Sequence, residues 1–432
     1  MLPLLTVLGL ATPAHAFCGT YVGQAGAALY NNASQVVLVH QERQTTLTLA
    51  NDFDGDLEDF ALVVPIPNIV EGGDVSVVDP ELIQRIDAYS APRLVQYTCD
   101  DFNTETGTST SATDSSSSRG AGDEASGSVT IEAEFSVGEY DLVVLSAEQS
   151  ADLFTWLTES GYAVPESSTP LLQEYIDDGS YFLAARVDPA DLPDGQTWLR
   201  PLQIAYGAPT MNLPIRLGTL NSQGVQDLLI YVINDESDGA AGISNYTEHE
   251  LEDECMVDLA DGGTSSDFAD FWEDTLEDIR TGSPGARWTR EYAWAPAWCD
   301  PCAGDPLRDE DIQALGYDGS AWDAFFTRLH LRYEADQATQ DVVIYASKDE
   351  TRLQARFILY DPALEDRFPL CGSGWADDPG SCDPADDTDT TDDTQDPGTD
   401  DEGGRFGCNA APVPAMMAAV LALCALVTRR RD

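Results

Sequence analysis

The chain has 432 residues, of which 43% are hydrophobic and 9% aromatic, so it is long and apolar enough to bury a substantial core. It carries 77 acidic residues against 21 basic ones, a formal net charge of -56. Such a surface repels the phosphates of nucleic acids, which argues strongly against DNA or RNA as a partner. The same composition suits either solubility in a salty exterior or calcium binding.

Residues 1–16, MLPLLTVLGLATPAHA, have the pattern of a secretory signal peptide. An apolar stretch precedes the small-residue site Ala14-His15-Ala16, which predicts cleavage by a signal peptidase between Ala16 and Phe17. Lipid attachment at Cys18 is disfavoured, because Phe17 stands where a lipoprotein signal has a small residue. The sequence therefore predicts ordinary cleavage and export.

Residues 17–99 open the folded body. Their β-branched or alternating runs predict three strands, QVVLVHQ, QTTLTLA and FALVVPIP, and DPELIQRIDAYSAP predicts a short helix that ends at Pro92. Within NDFDGDLEDF, the alternating Asp52, Asp54 and Asp56 raise calcium binding as an alternative. The glycine and glutamate that an EF-hand requires are missing at Leu57 and Val63, so a polar turn is favoured.

Residues 100–128 are rich in Ser, Thr and Gly and predict a disordered insertion, after which residues 129–371 form the second part of the body. A hairpin is predicted in SVTIEAEFSVGEYDLVVLSA, with Ser146 as the N-cap of the helix that follows. Further strands are predicted in SYFLAARVD, LRPLQIAYG, LPIRLGTLN, DLLIYVIND, RWTREYAWAP and around residues 325–334, 341–346 and 353–360.

Two more helices are predicted in this part. SDFADFWEDTLEDIRTG places Phe268, Phe271, Trp272, Leu276 and Ile279 at helical spacing, and DEDIQALG forms a shorter helix. Strands outnumber helices and do not alternate with them regularly, so the predicted class is α+β, a strand-rich body with a few amphipathic helices.

The end of the chain differs in composition from the body. Residues 372–404 predict an extended acidic spacer, and residues 405–432 contain an uncharged run from Ala410 to Val427 followed by Arg429, Arg430 and Arg431. A helix of that length covers about 27 Å, close to the hydrocarbon thickness of about 30 Å. Because positive charge stays cytoplasmic, the tail predicts a membrane-directed helix with the body outside.

The order of features in this tail carries a resemblance. Gly403-Gly404, then Gly407-Cys408, then the apolar run and the arginine cluster resemble the MYXO-CTERM type of C-terminal sorting signal. The resemblance implies a myxobacterial surface protein whose tail is recognised and cleaved near Gly407 and Cys408 by a sorting protease.

Nine cysteines are present, and seven of them lie outside the tail. In WCDPC, the spacing of Cys299 and Cys302 is similar to that of a thioredoxin active site, but acids at positions 300, 305, 309, 310 and 311 disfavour a thiolate. A structural disulfide is favoured, and redox catalysis or a metal site remain alternatives. Cys371 and Cys382 are predicted to close a small disulfide loop.

Other catalytic signatures are absent from the sequence. No Gly-x-Ser-x-Gly, Walker A or dinucleotide-binding motif is present, and HELED lacks the second histidine of a zinc protease, so no cofactor or metal is predicted. His330 alternates with Arg328 and Arg332 on one strand face, so its protonated form is expected to be disfavoured on a polar face.

Seven segments of the body stand in this order along the chain: FCGTYVG, LYNNASQVVLV, EDFALVVPIP, APRLVQY, LRPLQIAYGAPTMNLPIRLGTLNSQGVQDLLIYVI, WCDPC and FFTRLHLRY. They resemble the DUF2330 family of uncharacterised bacterial exported proteins, and the resemblance runs from about Phe17 to Pro362. It implies no activity and no catalytic residues.

The leading hypothesis is an exported, surface-anchored module that binds an unknown extracellular ligand or has a structural role. The alternatives are a thiol-disulfide oxidoreductase and a calcium-dependent adhesion module.

Overall fold

The computed structural model describes the body of the chain. The described residues are 20–21, 30–54, 61–97, 129–187, 199–220, 224–299, 302, 304–372 and 410–412, apart from 163, 253, 260–264 and 366. The predicted leader, the insertion at residues 100–128 and residues 373–404 of the acidic spacer lie outside them. The described body is strand-rich with few helices, which confirms the predicted α+β class.

The chain divides into two compact units. The first comprises Met1–Ala91, Thr110–Leu251 and Leu276–Gln354, and the second comprises Pro92–Ser109, Glu252–Thr275 and Ala355–Asp432. Both units are therefore assembled from separate stretches of the chain.

The strands and helices have the following bounds. The strands are β1 (Thr20–Tyr21), β2 (Tyr30–Gln41), β3 (Gln44–Asp54), β4 (Ala61–Ile66), β5 (Val75–Val77), β6 (Arg93–Tyr97), β7 (Val129–Val137), β8 (Tyr140–Ala147), β9 (Tyr181–Val187), β10 (Leu202–Gly207), β11 (Met211–Leu213), β12 (Gln226–Asp235), β13 (Ala241–Ile243), β14 (Thr247–Glu248), β15 (Cys255–Val257), β16 (Arg287–Trp294), β17 (Ala324–Tyr333), β18 (Val342–Ala346), β19 (Leu353–Gln354), β20 (Arg356–Leu359) and β21 (Ala410–Pro412). The α-helices are α1 (Pro80–Ser90), α2 (Ser150–Glu159), α3 (Thr169–Asp177), α4 (Arg216–Thr219), α5 (Ser265–Thr281) and α6 (Asp309–Ala314).

The first unit is built around a nine-stranded sheet. Its strands follow the order β14-β16-β17-β12-β2-β3-β10-β5, and β19 pairs with β16. A five-stranded sheet has the order β1-β4-β9-β8-β7, and a three-stranded one has the order β11-β18-β13. Most neighbours are antiparallel, but β12 runs parallel to β2.

Buried apolar side chains arrange the first unit in layers. One core lies between the nine-stranded and five-stranded sheets, and includes Leu38 and Ile230 on one side and Leu62 and Leu183 on the other. Helices α2 and α3 cover the outer face of the five-stranded sheet, and α1 and α6 cover the outer face of the larger one. Because both faces of each sheet are covered, strands such as ALVVPI are apolar throughout.

Helix α1 confirms its prediction from the sequence. The Asp79 side chain accepts the backbone N–H of Glu81 at 2.9 Å, and Pro80 occupies the first turn, where its missing N–H costs nothing. Ile83 and Ile86 then face the larger sheet. The helix therefore presents Asp87 and Tyr89 to the strands beside it.

Three details differ from the sequence predictions. Ser146 belongs to β8 and bonds to Glu132, so it does not cap α2. LPIRLGTLN is not a strand, because Pro214 follows the end of β11 and the Asp341 carboxylate accepts the N–H of Arg216 at the start of α4. Helix α3 was not predicted.

The second unit contains a smaller sheet in the order β15-β20-β6-β21. Its apolar cluster includes Val95, Met256 and Ile358, and aromatic residues of α5 surround Phe357, with 5.2 Å between the ring centroids of Phe271 and Phe357. The predicted apolar face of α5 is thus confirmed for this part of the helix.

The tail is described over three residues only. Ala410–Pro412 form a strand paired with β6, whereas a helix was predicted to begin at Ala410. Pro412 and Pro414 disfavour helical backbone at the residues before them, which explains the difference. Within the described ranges, no helix has the length and apolarity needed to cross a membrane.

Candidate functional site

Cys299 and Cys302 form a disulfide in the loop after β16. Cys299 is buried, with 6% of its surface exposed, and packs against the core that α1 and α6 cover. Cys302 is exposed. The disulfide therefore has one sulfur facing the core and one belonging to an exposed residue.

Hydrogen bonds from α1 hold this loop in place. The hydroxyl of Tyr89 lies 3.1 Å from the carbonyl oxygen of Trp298 and 3.4 Å from that of Ala295, and it accepts the hydroxyl of Tyr292 at 2.8 Å. Arg85 donates to the carbonyl oxygen of Pro306 at 2.8 Å. The disulfide thus closes a loop that is already fixed to the core.

The surroundings of this disulfide differ from those of a thioredoxin active site. The next described helix, α6, begins at Asp309, so no helix N-terminus among the described residues stabilises a thiolate at either cysteine. Asp311 is paired with Arg85 at 2.7 Å, Asp309 accepts the N–H of Ala321 at 2.7 Å, and Glu310 is paired with Arg308. Three of the five acids expected to disfavour a thiolate thus have partners of their own.

The second disulfide corrects a sequence prediction. Cys371 is joined to Cys255, with 5.0 Å between their Cα atoms, and not to Cys382. Met256 forms a bridge with Leu370, and the N–H of Cys371 donates to the Met256 carbonyl at 3.0 Å, which brings together cysteines 116 residues apart. Cys382 lies outside the described residues, as do Cys18 and Cys99.

The calcium alternative falls where the structure is not described. Asp52 and Asp54 lie in β3, but their side chains and the whole of Asp56 are outside the described set. Among the side chains that the structure does describe, no group of three His, Cys, Asp or Glu residues is arranged to hold a metal ion.

A buried set of charges lies on the outer face of the nine-stranded sheet, and we call it the charge chain. At its centre, Glu291 is fully buried between two strands; it pairs with Arg328 Nε through Oε2 and with His330 Nδ1 at 2.6 Å through Oε1. His330 Nε2 lies 3.0 Å from Asp227 Oδ1. Three neighbouring strands, β16, β17 and β12, thus each contribute charges to one buried cluster.

A β-bulge places Glu291 in this position. Arg290 pairs with Leu329 and Tyr292 pairs with Arg328, so Glu291 is the extra residue on β16. The bulge turns the Glu291 carboxylate toward the face that carries Arg328 and His330, and it lets Trp288 and Tyr292 pack on opposite faces of the sheet.

The expectation for His330 is wrong. Both of its ring nitrogens face carboxylate oxygens, which only accept hydrogen bonds, so both nitrogens carry protons. Burial lowers the pKa of His330, but Glu291 and Asp227 outweigh it and raise the pKa to about 9. Burial likewise raises the pKa of Glu291, but Arg328 and His330 bring it below its ordinary value.

The charge chain reaches partly exposed residues at both ends. At one end, Arg328 Nη1 lies 2.6 Å from Asp87 Oδ1, which also accepts the hydroxyl of Tyr231 at 2.8 Å. At the other end, Arg332 Nη1 lies 3.5 Å from Asp227 Oδ2. From Arg332, the charge chain continues through ion pairs to Glu277, Arg280 and Glu334 in turn.

Each member of the charge chain has a partner of opposite charge, so the arrangement offers no free acid, base or nucleophile. Its ion pairs link α1, α5 and three strands, which is a structural role. The alternation of Arg328, His330 and Arg332 was visible in the sequence, but their acidic partners were not, because these lie 37 to 241 residues away in the chain.

Comparisons with known proteins identify a family for this chain. A family model described as "Uncharacterized protein conserved in bacteria (DUF2330)" matches residues 12–345. The match includes Cys299 and Cys302 and the buried centre of the charge chain. No curated protein and no solved structure matches the chain.

Proposed function

The chain belongs to the DUF2330 family of uncharacterised bacterial proteins, and we propose that this member is an exported module, displayed at the cell surface, with a binding or structural role. One observation carries the proposal. All four cysteines in the described part of the chain are joined in disulfides. Because the cytosol keeps thiols reduced, such pairing is typical of proteins that act beyond it.

The two ends of the sequence support the same cellular location. In this proposal, a signal peptidase releases Phe17 as the new N-terminus, and the tail holds the protein in the membrane with its three arginines cytoplasmic. A sorting protease then cleaves near Gly407 and Cys408. The negative charge of the body favours its solubility outside the cell.

Fractionation of the native host, combined with mass spectrometry of the recovered protein, tests this proposal. We expect the protein in the envelope, beginning at Phe17, with Cys255 and Cys371 linked. Cys408→Ala should accumulate with an uncut tail, whereas Cys424→Ala, at a cysteine within the apolar run, should be processed normally. An intact chain with reduced thiols in the cytosol would contradict the proposal.

A second candidate is thiol-disulfide exchange at Cys299 and Cys302. The exposure of Cys302 favours it, because an external thiolate can approach the Cys302 sulfur while Cys299 stays buried. The attack forms a mixed disulfide at Cys302 and releases Cys299 as a thiolate. A second thiol of the same substrate then displaces Cys302, which leaves the substrate oxidised and this pair reduced.

The rate of a single round of exchange distinguishes this candidate from a structural disulfide. The oxidised protein is mixed with a reduced dithiol peptide, and the peptide's oxidation is followed against time. An exchange enzyme oxidises about one equivalent rapidly and loses this activity in Cys302→Ser. A structural disulfide reacts no faster than an unfolded control peptide that carries the same WCDPC sequence.

A further inference from the structure

Trp294, Trp298 and Arg352 form a cluster that we call the aromatic–arginine platform. The ring centroids of the two tryptophans are 5.3 Å apart. The guanidinium carbon of Arg352 lies 5.1 Å from the Trp294 centroid and 5.0 Å from the Trp298 centroid. Trp294 ends β16, and β19, which pairs with β16, begins directly after Arg352.

The platform is accessible, and its cation has no acidic partner among the residues that the structure describes. Trp298 is 39% exposed, and Arg352 is also exposed. In a chain with 77 acidic residues, Arg352 makes no ion pair in the described part of the structure. Stacking on indole uses the faces of a guanidinium and leaves its in-plane N–H donors available for an anion.

Unpaired polar atoms lie beside the platform. Gln354 is only 4% exposed, and neither its amide oxygen nor its amide nitrogen has a hydrogen-bond partner among the described residues. The same holds for Trp294 Nε1. Gln354 is opposite Tyr292 in the register, so strand alternation puts it on the face that carries Trp294. Buried polar groups without partners are costly, and a ligand can satisfy them.

We propose that the aromatic–arginine platform binds a carbohydrate that carries a carboxylate. The indole of Trp298 offers a flat apolar surface for the C–H face of a sugar ring, and Arg352 offers paired donors for the carboxylate. The Gln354 amide supplies a donor and an acceptor for hydroxyl groups. Repulsion by the acidic surface is screened beyond about 8 Å at physiological salt, so contact-range pairing with Arg352 dominates.

This inference gives the proposed surface module a ligand class, and it rests on the binding role proposed above. Its test does not depend on export, because it uses purified protein. A failure of binding is therefore distinguishable from a failure of localisation, which fractionation detects separately.

The test measures binding of polygalacturonate to the purified full-length protein by calorimetry and tryptophan fluorescence. Two control polymers accompany it: methyl-esterified polygalacturonate, which lacks the charge, and polyglutamate, which lacks the sugar. We expect polygalacturonate to bind and both controls to bind at least about tenfold more weakly, because each lacks one of the two contacts.

Variants locate the site. Arg352→Gln and Trp298→Ala should each weaken polygalacturonate binding about tenfold, with unchanged circular dichroism. Two matched controls should bind as the wild type does: Arg43→Gln, at another exposed arginine without an ion pair in the described structure, and Trp322→Ala, at a tryptophan 62% exposed outside the platform. Absent binding, equal loss in the controls, or equal affinity for polyglutamate would overturn the proposal.

Discussion

Glu291 and His330 share a 2.6 Å hydrogen bond across two antiparallel strands, and the β-bulge at Glu291 makes this bond possible. Without the bulge, strict alternation along β16 would place Tyr292 on the same face as Trp288, or, with Tyr292 kept in place, would turn Glu291 away from the face of His330. The bond converts a buried histidine into a stable cation. Buried charge of this kind is tolerated only where each ion is paired, as it is here.

Glu291→Gln is expected to destabilise the protein strongly. The change leaves Arg328 and His330 buried beside a neutral amide, and breaking a buried pair typically costs about 3–5 kcal/mol. Urea denaturation measures the loss of unfolding free energy. Glu310→Gln is the matched control: Glu310 pairs with Arg308 with 64% of its side chain exposed, so its loss should stay below about 1 kcal/mol. Equal losses in both variants would contradict the structural role of the charge chain.

The stability supplied by His330 should depend on pH. Its pKa is about 9 in the folded protein against 6.5 for the ordinary group, so the folded state holds this proton more tightly. The contribution is fully present below pH 6.5 and is lost as the pH rises through about 9.

The comparison of wild type with His330→Gln isolates this effect from the titration of other groups. We expect the difference in unfolding free energy to be largest at pH 6 and to narrow by up to about 3 kcal/mol at pH 10. Asp227 and Glu291 accept from the ring, and Arg328 and Arg332 flank it, so the measurement is repeated at two salt concentrations. A difference that is constant with pH would show that His330 is not a cation in the native state.

The two disulfides should differ in their contribution to stability. Cys255 and Cys371 are 116 residues apart, and Cys299 and Cys302 are three apart. Loop-closure entropy assigns about 5 kcal/mol to the long loop and about 2 kcal/mol to the short one. Thermal unfolding of the double variant Cys255→Ser/Cys371→Ser should therefore show the larger loss of stability. A larger loss on removal of the short disulfide would contradict this, and would indicate that the short disulfide stabilises its loop by more than its loop-closure entropy.

Asp341 is expected to be required for helix α4. Its carboxylate accepts the hydroxyl of Tyr175 at 2.8 Å and the N–H of Arg216 at 3.1 Å. Asp341→Ala leaves both donors without this partner and should cost about 2–4 kcal/mol of unfolding free energy. Tyr175→Phe removes only the first bond and should cost about 1 kcal/mol. Amide hydrogen exchange at residues 216–219 should become faster in the Asp341→Ala variant but not in Tyr175→Phe, because only the first variant removes the acceptor of the Arg216 N–H.

Much of the local structure follows from the sequence. The strands of FALVVPIP and DLLIYVIND, the capped start of α1 and the apolar face of α5 are local patterns, and each is present. The exceptions have tertiary causes: the carboxylate of Asp341 anchors α4, and Glu132 binds Ser146 away from any capping role.

By itself, the sequence determined the α+β class and the family, and it predicted the leader and tail, because composition and periodicity are properties of adjacent residues. Only the tertiary structure decided which groups meet. Cys371 joins Cys255, and His330 holds a second proton because carboxylates on β16 and β12 accept both of its N–H groups. The physical reason is that electrostatic and covalent pairing depend on distance in space, which a sheet sets by strand order and register and not by separation along the chain.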